Sequence, residues 1–257
     1  MDAAAQIRDS LRNVTRLREQ AHATPDLQRA LQHVKQLQAR RFAGTYYDLL
    51  QSPSFAAPTR FFLEELYGAR DFSDRDAQFA RIAGALQTFF PKQVVNTAIA
   101  LAELHALTEA LDFEMAQQYL TLGHQVTELG LDSRRYLLCW RNVANPQLRL
   151  GQLHSVLEIG RELDKLTRTK GLRMTLRMMR GPAKAAGLQA LQTFLEVGFD
   201  TFASMGGAGA ESEVFLNTIR ERESAWINVL FSAPDMKCET ELQVCLASDV
   251  PPYLSSK

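Results

Sequence analysis

The sequence predicts an all-α protein, a compact multi-helix domain, and three observations carry that expectation. Apolar residues recur at helical intervals through most of the chain, as in Leu27, Leu31, Val34 and Leu37, so each segment presents one stripe to a core. No stretch joins strict alternation to β-branched richness, which leaves a sheet without a source. With 257 residues and 46% hydrophobic content, the chain can fill a core without metal or disulfide support.

The first segment carries Leu11, Val14 and Leu17 among Arg8, Arg12, Arg16 and Arg18, a narrow apolar face suited to a docked arm or a partner-binding helix. Thr24 as N-cap and Pro25 at the first helical position open the next helix. A further helix is read between Arg41 and Leu50; Ser52-Pro53 and Ala57-Pro58 then break the chain before an aromatic stretch that Gly68 ends. Ser73 with Asp76 three residues on resembles a capping box, and it opens a segment bearing Phe79, Ile82, Ala83 and Leu86. Val94 to Leu111 is apolar and Ala-rich with little room for a charged face, which places it at the centre of the fold.

Asp112 is read as the cap of a helix ending near Gly130, and Asp132 or Ser133 as the cap of the next, which Asn145-Pro146 interrupts. Leu150 to Leu166 resumes the helical pattern, and Gly181-Pro182 ends the basic stretch that follows. Leu188, Leu191, Leu195 and Phe202 form another stripe, Gly206-Gly207-Ala208-Gly209 a joint, and Phe215, Ile219, Trp226 and Leu230 line a last helix. Residues 1–231 are expected to be one composite helical domain. A subdivision would fall near 181–182, but the part beyond holds only two good helices and needs the rest to bury them. Residues 232–257 are expected to be a loosely ordered tail.

Basic and acidic side chains balance at 29 each, so no global field favours nucleic acid or a membrane surface, and an anionic partner has to be read by a local patch. Three cysteines without a CxxC pair argue against a disulfide framework and a thiolate metal site. The opening residues lack the apolar core of a signal peptide, and no apolar run is read as long enough to cross a bilayer. A cytoplasmic location is expected. The chain has no GxGxxG, Walker A loop, HExxH or GxSxG, so a non-enzymatic role is favoured.

Three histidines have a glutamate four residues on, His105 with Glu109, His124 with Glu128 and His154 with Glu158, which puts each pair on one helix face. A carboxylate-histidine metal centre is the third-ranked function, although only Glu19-x-x-His22 has the spacing of di-iron bundles. His105 sits in an otherwise apolar helix, where an imidazole needs a hydrogen-bond partner or a metal. Leu101-x-x-Leu104-His105-Ala106, followed by a turn expected at Asp112-Phe113, remotely resembles the globin family. That resemblance implies a globin-like core with extra N- and C-terminal helices, covering about Phe42 to Leu166. It also implies haem held by His105, Phe61 wedging the porphyrin, and Tyr47 and Gln78 donating hydrogen bonds to bound gas. This is the alternative function.

Phe61-Phe62-Leu63-x-x-Leu66-Tyr67-Gly68 followed by Asp71-Phe72-x-x-Arg75-Asp76-x-Gln78-Phe79-x-Arg81 resembles a signature of uncharacterised bacterial helical proteins, which implies no particular activity. Arg75, Asp76 and Arg81 read as an interhelical salt-bridge network or a polar pocket rim. The leading functional candidate is the stretch from Lys165 to Lys184, which holds no acidic residue. Its Arg173, Arg177 and Arg180 follow helical spacing opposite Leu172, Leu176 and Met179, and Met174, Met178 and Met179 add adaptable contact area. The sequence thus points to a helical binding or regulatory protein that presents Lys170, Arg173, Arg177 and Arg180 to an anionic partner, an acidic protein or a phosphate-bearing ligand.

Overall fold

The computed structural model describes residues 2–66, 70–122, 131–205 and 210–247. Among the described residues there are thirteen α-helices, one π-helical turn and no strand. The centre is α6 (Lys92–Leu122), which α1 (Ala3–His22), α2 (Pro25–Thr45), α7 (Leu131–Val143) and α8 (Pro146–Thr167) pack around. The short α3 (Tyr47–Gln51) and α4 (Ala56–Phe61), with the π-turn Phe62–Leu66, lead to α5 (Ser73–Phe89), which lies on α1. Beyond α8 come α9 (Leu172–Met178), α10 (Arg180–Ala185), α11 (Gln189–Ser204), α12 (Ala210–Ser232) and α13 (Asp235–Ala247). One continuous cluster of buried side chains runs from Leu17 to Leu246, and a smaller one joins α1, α5 and α6 around Ile7, Leu11 and Leu86.

The helix starts follow local chemistry. Pro25 and Pro146 each occupy a first turn, where the missing N–H costs nothing. Asn145 caps α8 by accepting from the Leu148 amide at 2.8 Å. The narrow stripe of α1 is a docked one: Ile7 and Leu11 pack with buried residues of α5 and α6, and Val14 and Leu17 are buried as well, each contributing about 1.5–3 kcal/mol.

Several expectations change. The helix expected from Arg41 to Leu50 is two: α2 continues to Thr45, and α3 starts at Tyr47. The Ser73–Asp76 capping box is absent; Asp71 accepts from the Ser73 amide at 2.9 Å, while Asp76 turns inward. Asp112 caps nothing. It lies buried in the middle of α6 and accepts from Gln38 Nε2 at 2.6 Å, so the turn expected there, on which the globin resemblance relied, is continuous helix. Residues 235–247 are not loose: α13 buries Cys238, Leu242 and Leu246 against α2 and α7. Gly68, the His124–Glu128 pair, the Gly206–Gly209 joint and residues 248–257 lie outside the described residues.

Among the described residues α6 is, by length and composition, long and apolar enough to cross a membrane, which amends the expectation that no run reaches that length. In this fold it is a core helix, burying Ala102, Leu104, Leu111, Met115 and Ala116.

Candidate functional site

An apolar cavity of about 250 Å³ lies between α5, α6, α8 and α11, and α9–α10 form its outer wall. Its walls include Phe61, Phe79, Ile82, Leu86, Leu101, Leu166, Leu191 and Phe199, and its only polar wall residues are Thr97, Thr175 and Gln192. The cover is a flap. No residue of α9 is fully buried, and the two positive-φ glycines among the described residues, Gly171 (φ 84) and Gly187 (φ 67), bracket α9–α10. Side chains rarely adopt that left-handed region, so both ends of the flap depend on glycine.

Polar contacts from α5 and α11 hold the flap and the turn that follows it. Arg81 of α5 donates to the carbonyls of Ala186 and Gly187. Gln78, one turn earlier, accepts from the Leu191 amide at 2.9 Å and so occupies the first turn of α11. Gln192 Nε2 donates to the Leu176 carbonyl at 2.6 Å, cinching α9 to α11. Thus Gln78 and Arg81 of α5 position the turn from the flap into α11.

The flap's faces divide as its spacing predicts. Leu172, Leu176 and Met179 line the cavity, and each is followed at once by an arginine. Arg173, Arg177 and Arg180 are exposed together with Lys170 and Lys184, and Met174 and Met178 are 68% and 71% exposed. Carboxylates of α11 temper the patch, a feature the sequence reading missed: Arg173 meets Asp200 at 2.8 Å, and Arg180 Nε donates to Glu196 at 2.8 Å. Arg180 holds the Glu196 carboxyl below its ordinary range. Lys170, Arg177 and Lys184 form no ion pair among the described residues, so the patch keeps an excess of positive charge.

His105 is placed differently from the globin expectation. Its Nε2 lies 2.8 Å from Asp76 Oδ2, which also accepts from Arg18 at 2.7 Å. Burial works to raise the Asp76 carboxyl, but His105, Arg18 and Arg75 outweigh it and hold it below its usual value. The ring also meets the edge of Phe72. The cavity beside His105 measures about 40 Å³, well under the ~150 Å³ that takes up one benzene. Tyr47 is 53% exposed and lines neither cavity. Phe61 stacks on Phe194 at 5.8 Å, and Gln78 serves α11. These four residues do not surround one space, and they do not fit a haem.

A second polar assembly, unforeseen from the sequence, sits in the core. Arg41 Nη2 donates to Glu223 at 2.9 Å, and the Tyr46 hydroxyl donates to the same carboxylate. Arg149 lies 3.8 Å above the Trp140 ring. Tyr136 donates to Gln38, which donates to Asp112, and Lys35 donates to Glu109 at 2.6 Å. Burial pushes Asp112 up to about 6, whereas for Glu109 the Lys35 charge overcomes burial and lowers the carboxyl. These links tie α2 to α6, α7 and α12 across the core.

His154 and Glu158 share a shallow groove between α6 and α8 with Glu103 and Glu162. Among the described residues, however, no three His, Cys, Asp or Glu side chains converge so as to hold a metal ion.

The family described as Domain of unknown function (DUF8198) matches residues 17–236, a span that includes the cavity, the flap and His105. No curated protein and no solved structure matches the chain.

Proposed function

The chain belongs to the DUF8198 family of unknown function, and from its geometry we propose a cytoplasmic, non-enzymatic binding protein that takes an anionic partner at the flap formed by α9 and α10. One observation carries the proposal. A protein of zero formal net charge gathers Arg173, Arg177, Arg180 and Lys184 on a thin, glycine-bounded segment, with Lys170 just before it, and Lys170, Arg177 and Lys184 lie outside any ion pair among the described residues. Exposed pairs such as Arg173–Asp200 contribute about 0–1 kcal/mol, so an incoming anion can exchange with them at small cost. Arginine suits carboxylate and phosphate through its planar fork.

The test is elution from an immobilised phosphate matrix. The native chain is expected to be retained at low salt and released as salt screens the patch. Lys170→Glu with Arg177→Glu should abolish retention, while Arg12→Glu with Arg16→Glu, an equal charge change on exposed α1 positions, should leave most of it. Equal loss in both double variants would contradict a local patch.

A further inference from the structure

We infer that the cavity beneath the flap binds a single-chain anionic amphiphile, an acyl carboxylate of about ten carbons, with its chain inside and its carboxylate emerging at the flap's basic residues. This rests on the anionic-partner reading and adds the chemical class of the partner.

The cavity volume sets the chain length. If ~150 Å³ takes up the six carbons of benzene, each carbon needs about 25 Å³, and the 250 Å³ here accommodates about ten.

The wall chemistry sets the polarity. Thr97 Oγ1 already donates to the Gln93 carbonyl, and Gln192 Nε2 is committed to Leu176 and Glu196. A polar group buried there would lose water without gaining a partner, so the occupant's buried part is hydrocarbon.

The charges on either side set the orientation. Past Phe79 and Phe194, the inner wall adjoins Glu65 and Asp76, which already match the nearby Arg75 and Arg18. The cations there are already committed to Glu65 and Asp76, so a third carboxylate finds no unpaired partner among the described residues. On the outer side the same short segment that supplies Leu172, Leu176 and Met179 to the wall carries Arg177, which forms no ion pair among the described residues. The head group therefore belongs at the flap.

The route in is the flap itself. It is bounded by left-handed glycines at both ends; Arg81 holds the Gly187 end, and exposed ion pairs with Asp200 and Glu196 and the Gln192–Leu176 bond tie its middle to α11.

Isothermal titration calorimetry of the full chain with decanoate, hexanoate, decanol and inorganic phosphate tests this. One decanoate per chain is expected, with affinity falling roughly fourfold per methylene removed and at least tenfold weaker binding in Ala98→Phe, at a buried wall position. The chain-length series needs no variant and stands even if that substitution unfolds the protein. Absence of decanoate binding, or hexanoate binding equally well, overturns the inference. Inorganic phosphate binding as tightly as decanoate also overturns it but leaves the anionic-partner reading standing. Decanol matching decanoate, with Arg177→Glu without effect, removes the anionic reading and with it the carboxylate assignment.

Discussion

Arg81 of α5 reaches the carbonyl of Gly187 at 2.7 Å and that of Ala186 at 2.8 Å, so one side chain fixes the end of the flap where the backbone turns left-handed. Arg81→Ala should free that end. Because the contact is exposed, the global loss should stay near about 1 kcal/mol. Limited trypsin digestion, which reads Lys170 to Lys184 directly, should accelerate within the flap. An unchanged cleavage rate there would show that Arg81 does not restrain it.

Glu223 holds the buried Arg41 from the other end of the chain, and Tyr46 shares the same carboxylate. Glu223→Ala strands a buried guanidinium and should cost about 3–5 kcal/mol in urea unfolding. Tyr46→Phe, which removes one donor, should cost about 0.5–1.5 kcal/mol. A loss for Glu223→Ala no larger than that for Tyr46→Phe would contradict the buried pair.

Asp112 sets a pH dependence. Its carboxyl is raised to about 6 in the fold, above an ordinary value near ~3.9, so between those values the folded chain binds more protons than the unfolded one. Stability from this group is therefore lost as pH rises through that window, by up to roughly 3 kcal/mol. Asp76 and Glu109, both lowered, act in the opposite sense: their contribution is present above the carboxylate range and is lost in acid. Asp112→Asn keeps those two and removes only the first. Its stability relative to the native chain should rise between pH 4 and 6 and level off above. A difference independent of pH would refute the assignment.

Gly44 of α2 faces the backbone of α13, where an added Cβ would lie 2.5 Å from the Cys245 carbonyl oxygen. Gly44→Ala should displace α13, cost about 1–3 kcal/mol, and speed labelling of the Cys245 thiol by a soluble disulfide reagent. Unchanged labelling would mean α13 does not dock there.

The legible parts of this fold were local ones. Thr24-Pro25 marked a helix start and Asn145-Pro146 an interruption because proline and capping chemistry act within four residues, and the Leu-Arg, Leu-Arg, Met-Arg order of residues 172–180 already separated an apolar face from a basic one. What stayed hidden depended on distant partners. Asp112 resembles a cap in its own neighbourhood, and only Gln38, 74 residues away, turns it into a core acceptor. Asp200 and Glu196 temper the basic face from another helix. The cavity has no sequence signature, since seven helices contribute walls to it. For α13 a signal existed in Cys238, Leu242 and Leu246, spaced by four, but its apolar stripe is thin. His105 was rightly marked as needing a partner, and that partner is Asp76.

Amide hydrogen exchange across residues 171–187, with and without decanoate, addresses the flap and its cavity together. The expected result is rapid exchange in the free protein relative to Ala102–Ala116 of α6, because no α9 residue is fully buried, and marked slowing when decanoate is added. Exchange as slow as that of α6 in the free protein, or rapid exchange that decanoate leaves unchanged, would contradict a flap that closes over a bound acyl chain.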